Sequence, residues 1–138
     1  MIALTSKLEQ VREPFDTVRD HLYEDEFTLG GNWEYDHGYF DRYLDEAHKV
    51  WLRIPFQVIT GRLDGDSDAT DATIEIGAPF VLKHVYNEGL DKEAEPKVLG
   101  ALIDQFQTPV DSDAKVEDHW VEEAVKVLNE VERKWQLH

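Results

Sequence analysis

The chain has 138 residues, 14 basic against 30 acidic side chains for a formal net charge of −16, and no cysteine. That length fits one domain, 1–138, which buries roughly two-thirds of its unfolded surface and needs neither disulfide nor metal to fold. The charge argues against nucleic acid or anionic lipid as partner, since each phosphate contact calls for a local cation, and the missing thiols exclude thiolate zinc sites and disulfide switching.

Charge enters at Lys7 and Glu9, before any apolar stretch long enough for a signal peptide, and no run approaches a membrane span. The expectation is a cytoplasmic protein. A helix is predicted over Pro14–Tyr23, with proline in its first turn and Phe15, Val18 and Leu22 on one face. From Phe27 the period becomes two. Asn32–Asp36 and Tyr39–Leu44 flank His37-Gly38, which reads as a two-residue hairpin turn. That register sets Glu34 opposite Asp41 and Trp33 opposite Arg42. Trp33, Tyr35, Phe40 and Leu44 then share the inner face, while Glu34, Asp36, Tyr39, Asp41 and Tyr43 share the outer one.

Val50, Leu52, Ile54, Phe56 and Val58 alternate with Trp51, Arg53, Pro55 and Gln57 in a long strand, where Pro55 marks an edge or a bulge. Asp64–Asp71 is an acidic loop. Ala72, Ile74, Ile76, Ala78, Phe80, Leu82, His84 and Tyr86 are predicted to form one face of another long strand, bent at Gly77 or Pro79. Residues 98–106 fit either a short helix or a strand. A final helix is predicted from Lys115 to Trp135, with Trp120, Val121, Ala124, Val125, Leu128 and Val131 as its apolar stripe and Asp111, Ser112 or Asp113 as cap. The sum is an α+β domain, an antiparallel sheet of about four to six strands with an N-terminal and a long C-terminal helix on one face. The second face, holding Tyr39, Tyr43 and Trp51 among charges, is left to water or to another chain.

Candidate chemistry gathers at the hairpin. Like charges facing across a strand pair destabilise it unless neutralised. Glu34, Asp36, His37 and Asp41 are therefore candidate ligands for a divalent cation, against the plainer reading of a solvated acidic face, with no cofactor at all. The segment Asp64–Glu75 has acids at positions one, three, five and twelve of a calcium loop, but Ala69 stands where glycine is required. A solvated turn suits it better. His84 on an apolar strand face reads first as a hydrogen-bonded core residue and second as a general base beside Arg53, which would hold an anionic group; Arg53 itself reads first as an ion-pair partner for the surplus acid. Trp33, Tyr35, Arg53, His84 and Tyr86 are the candidate residues for a small-molecule ligand. No phosphate loop, dinucleotide fingerprint or nucleophile elbow occurs.

Gly30-Gly31-Asn32-Trp33-Glu34-Tyr35-Asp36-His37-Gly38-Tyr39-Phe40-Asp41 resembles the signature of the YugN-like family of small proteins from Bacillus and its relatives. Leu52-Arg53-Ile54-Pro55-Phe56, Gly77–Tyr86 and Gly89-Leu90-Asp91 resemble that family too. The resemblance implies a compact α+β fold and a bacterial cytoplasmic setting, inclines residues 98–106 toward a strand, and carries over no catalytic residue. The functional expectation is a non-catalytic binding domain that self-associates as a homo-oligomer; the alternative is a small-molecule or divalent-metal-dependent enzyme using the hairpin carboxylates with His84 and Arg53.

Overall fold

The computed structural model describes residues 1–31, 34, 36–63, 71–84 and 115–136. The described elements are β1 (Ile2–Ala3), β2 (Arg12–Pro14), α1 (Phe15–Tyr23), β3 (Thr28–Leu29), β4 (His37–Tyr43), β5 (Val50–Thr60), β6 (Thr73–Ile76), β7 (Phe80–Lys83) and α2 (Asp118–Gln136). All pairings are antiparallel, in the order β1-β7-β5-β4-β3, with β6 also on β5 and β2 on the outer side of β6. Seven strands exceed the number expected because β1, β2 and β3 are two or three residues long, too short to show a period.

The strict alternation in β5 makes it the centre of the sheet. Val50, Leu52, Ile54 and Phe56 are at most 3% exposed and face the helices. Phe15, Val18 and Leu22 of α1 meet them there, as do Ala124, Val127, Leu128 and Val131 of α2. Helix α1 starts after Pro14, which ends β2 with an extended backbone and has no N–H to give. In α2 the buried residues are spaced i, i+3, i+4 and i+7 from Ala124. That stripe includes Val127, and Val125, one residue off it, is 41% exposed instead of buried as expected. Polar ties fix the end of α2 to three earlier segments: Ser6 Oγ donates to Glu132, Trp135 Nε1 to Glu13, and Lys134 to Asp25. No helix among the described residues is long and apolar enough to cross a membrane.

Two registers differ from expectation. Glu34 and His37 bridge each other, so the chain reverses between them and not at His37-Gly38. His37 and Gly38 open β4, where Gly38 is buried opposite Phe56. Asp41 faces Thr28 on one side and Arg53 on the other, so it does not meet Glu34. Arg42 lies opposite Leu52 and reaches the Asp25 carbonyl and Glu26; Trp33, its expected partner, falls outside the described residues. The reversal moves by two residues and the partner of Glu34 by four, and because side chains alternate with period two, Phe40 still points inward and Tyr39, Asp41 and Tyr43 still point away.

The second correction concerns the strand expected over Ala72–Tyr86. Pairing runs Phe56 with Ile76 but Arg53 with Phe80, so β6–β7 carries one residue more than β5 between these points. Pro55 has no N–H for the ladder, and its carbonyl accepts from Gly77 at 2.9 Å. The extra residue makes a bulge at Gly77–Pro79. It also flips the parity: Ile74, Ile76 and Val81 face the core, whereas Phe80, Leu82 and His84 lie on the other side of the sheet. Gly77 is fitted to the bulge, since a Cβ there would sit 3.2 Å from the Pro55 ring.

Candidate functional site

The sheet face turned away from the helices collects most of the singled-out residues that the structure describes. Its wall is the loop between β4 and β5. Asp45 accepts from the backbone N–H of Lys49 and Val50, and Leu44 donates to the Val50 carbonyl. This closes the turn with His48 in the left-handed region, φ 57°. The His48 ring stacks on Tyr43 at 3.7 Å between centroids, and its carbonyl accepts from Trp51 Nε1 at 2.7 Å. Tyr43 meets Trp51 edge-on at 4.7 Å, and Trp51 meets His84 edge-on at 5.3 Å.

Arg53 occupies the centre. The β4–β5 register places it opposite Asp41, and the two form a forked pair, Nε to Oδ1 at 2.8 Å and Nη2 to Oδ2 at 3.1 Å. The guanidinium lies 4.8 Å from the Tyr39 ring centroid and 5.3 Å from that of Trp51. Phe80 completes this stretch, edge-on to Tyr39 at 6.3 Å. The Asp41 side chain is 9% exposed and that of Arg53 17%. A charge pair this enclosed needs its geometry to offset lost hydration, and the fork together with two aromatic faces supplies it. Burial and the positive charge of Arg53 both hold the His84 pKa below its usual value, against a smaller opposing pull from Asp41. His84 is therefore a neutral imidazole at neutral pH.

At the far end of the same face, Glu34, Asp36 and His37 gather at the hairpin tip, with one ligand atom from each within 4.8 Å of the others. His37 Nδ1 is 2.8 Å from Asp36 Oδ1. All three are exposed. Asp41 does not join them, because Arg53 holds it. Of the ligand-site candidates, Arg53 and His84 sit on this face, while Trp33, Tyr35 and Tyr86 lie outside the described residues, as do 64–70 and 98–106. The described end of the calcium-like loop serves other ends: Asp71 accepts from Arg62 N–H, and Glu75 in β6 pairs with Arg12. His48 and Phe80 belong to the face but were not singled out for it. The only signal for Phe80 would have been the parity change at Pro55, and for His48 the Asp45 turn.

Comparison with known proteins gives one consistent answer. The model of the YugN-like family matches residues 3–135. The uncharacterized protein YugN of Bacillus subtilis (strain 168) is 32% identical over 130 residues, covering 94% of this chain and 87% of that protein. The crystal structure of the uncharacterized conserved protein YugN from Geobacillus kaustophilus HTA426 superposes with a TM-score of 0.52 at 20% identity, over 96% of this chain and 99% of that one. At that identity the likeness speaks for the fold.

Proposed function

The chain belongs to the YugN-like family, and from that premise and the geometry above we propose that it is a non-catalytic interaction domain that associates with a second copy of itself through the sheet face opposite the helices. One observation carries the reading: the Tyr39–Arg53–Trp51 layer, pinned by Asp41. Arginine and large aromatics supply most hot spots of protein interfaces. Here the arginine is already held in place, so docking costs little side-chain entropy.

Charge favours the same face. Two copies at −16 repel each other over most of their surface. Around Arg53 the described charges compensate as a pair and the ring neighbours are aromatic, so repulsion is reduced there. Tyr43, 44% exposed, offers the rim. The setting that suits such a domain is the cytoplasm of a bacterial cell.

Hydrogen–deuterium exchange followed at low and high protein concentration tests this reading. Added protection at residues 39–43 and 50–54 with rising concentration is the expected result; uniform exchange at both concentrations contradicts it. A second reading, a divalent-cation or metal-dependent catalytic site at the hairpin tip, is favoured by the convergence of Glu34, Asp36 and His37. Calorimetric titration with Mn²⁺ should then show heat that Asp36→Asn removes, and a flat titration ends that reading.

A further inference from the structure

A cleft of about 380 Å³ lies on the same side of the sheet, beyond Pro55 from the arginine layer. The bulge creates it. With no N–H at Pro55, the ladder at this step keeps only the bond from the Gly77 N–H to the Pro55 carbonyl, and one residue of Gly77–Pro79 has no partner on β5. The segment before β2 closes the other side: Gln10, at φ 69°, donates to the Ile76 carbonyl at 2.7 Å, and Leu4 donates to the Pro79 carbonyl at 2.9 Å. Backbone bonds on both rims therefore hold the hollow open as part of the sheet. Its size falls at the small end of the range for small-molecule sites, roughly 300–1,000 Å³.

The lining selects a class of ligand. Carboxylates come from both sides, Glu9 from the N-terminal segment, where its Oε2 accepts from the Ser6 N–H at 3.1 Å and leaves Oε1 for a ligand, and Glu75 from β6, with the Gln57 amide between strands. Pro55 and Ala78 add an apolar wall. Glu75 already takes a guanidinium: Arg12 approaches its Oε2 to 3.4 Å, with the Arg12 side chain 65% exposed against 27% for Glu75. An exposed arginine on a more enclosed carboxylate is a weak pair that a better-fitted cation can displace. The strongly negative field of the whole chain concentrates small cations near such a hollow and repels anions.

We propose that the bulge cleft binds a small organic cation, an alkylammonium or guanidinium group held between Glu9 and Glu75 with its carbon chain along Pro55 and Ala78. The site is independent of self-association, because neither Arg53 nor the aromatic layer lines it. Binding involves no covalent change. Arg12 acts as its internal competitor.

The test is a ¹⁵N–¹H NMR titration of the full chain with agmatine, which carries both groups, against sodium chloride matched in ionic strength. Saturable shifts confined to the amides of residues 9–10, 57 and 75–78 are expected. Joint Glu9→Gln and Glu75→Gln substitution should weaken binding at least tenfold, and Arg12→Ser should tighten it severalfold by removing the competitor. Ala78→Phe fills the hollow from an exposed position and should abolish the shifts, with unchanged circular dichroism showing that the fold survives. Shifts scattered over the acidic surface without saturation, or equal affinity in the Gln double variant, would overturn the proposal.

Discussion

The two faces of β5 differ in what holds them, although they share one backbone. Its even residues from Val50 to Phe56 are apolar and enclosed by both helices. Its odd residues Trp51, Arg53, Pro55 and Gln57 face the other way, and there the contacts are directional: a forked ion pair, two cation–π contacts and edge-on rings. The first face is held by area removed from water, which any well-shaped apolar side chain supplies. The second depends on particular groups meeting at particular angles. That contrast is why the first specifies the fold and the second is suited to recognition.

The contrast is sharpest in the response to truncation. Leu52→Ala removes a side chain with no exposed surface and should cost about 3 kcal/mol in urea unfolding, by lost transfer energy and the cavity left behind. On the opposite face, Arg53→Met leaves the Asp41 carboxylate enclosed without its partner. The penalty should be about 2 kcal/mol, reduced from that of a fully buried pair by the residual exposure of both groups. Adding Asp41→Asn should restore most of it; a double variant no better than Arg53→Met would show that packing, not charge, holds this face together.

A pH dependence follows from His84. Its native pKa is depressed, first by burial and then by Arg53. Just below the ordinary histidine value of about 6.5 the unfolded chain takes up a proton that the native state refuses. Stability therefore falls as pH drops through that value, until the native pKa is reached, and the contribution is fully present above it. Carboxylates add losses of the same sign at lower pH, so the measurement is the difference between wild type and His84→Gln. The wild type should lose more stability between pH 7 and 5.5, and parallel curves would contradict the assignment. The smallest effect on folding belongs to Tyr43→Ala, within about 0.5 kcal/mol for an exposed aromatic.

Much of this architecture was legible because burial writes a period into sequence. The alternation of β5 and the Phe15, Val18 and Leu22 face of α1 were read directly. The α+β order and the assignment of Tyr39, Tyr43 and Trp51 to the second face followed from parity alone. Parity could not place the hairpin turn, since moving the reversal two residues from His37-Gly38 leaves Tyr39, Phe40, Asp41 and Tyr43 on the faces expected of them. The bulge was harder. Pro55 and Gly77 were each recognised as irregular, but only their pairing shows that one residue is added, and that residue carries Phe80, Leu82 and His84 to the other side of the sheet. Arg53 was legible as an ion-pair partner for the surplus acid, but not which acid: Asp41 was matched within its expected hairpin, when its partner lay across the next turn.

Sedimentation equilibrium over a wide concentration range tests the interaction face most directly, on wild type, Tyr43→Glu and Val125→Glu. Val125 is an exposed apolar residue on α2, so its variant reports on the helical side of the molecule. Reversible association of the wild type, lost in Tyr43→Glu and kept in Val125→Glu, is the predicted result. A wild type that stays monomeric throughout, or association abolished only by Val125→Glu, would contradict it.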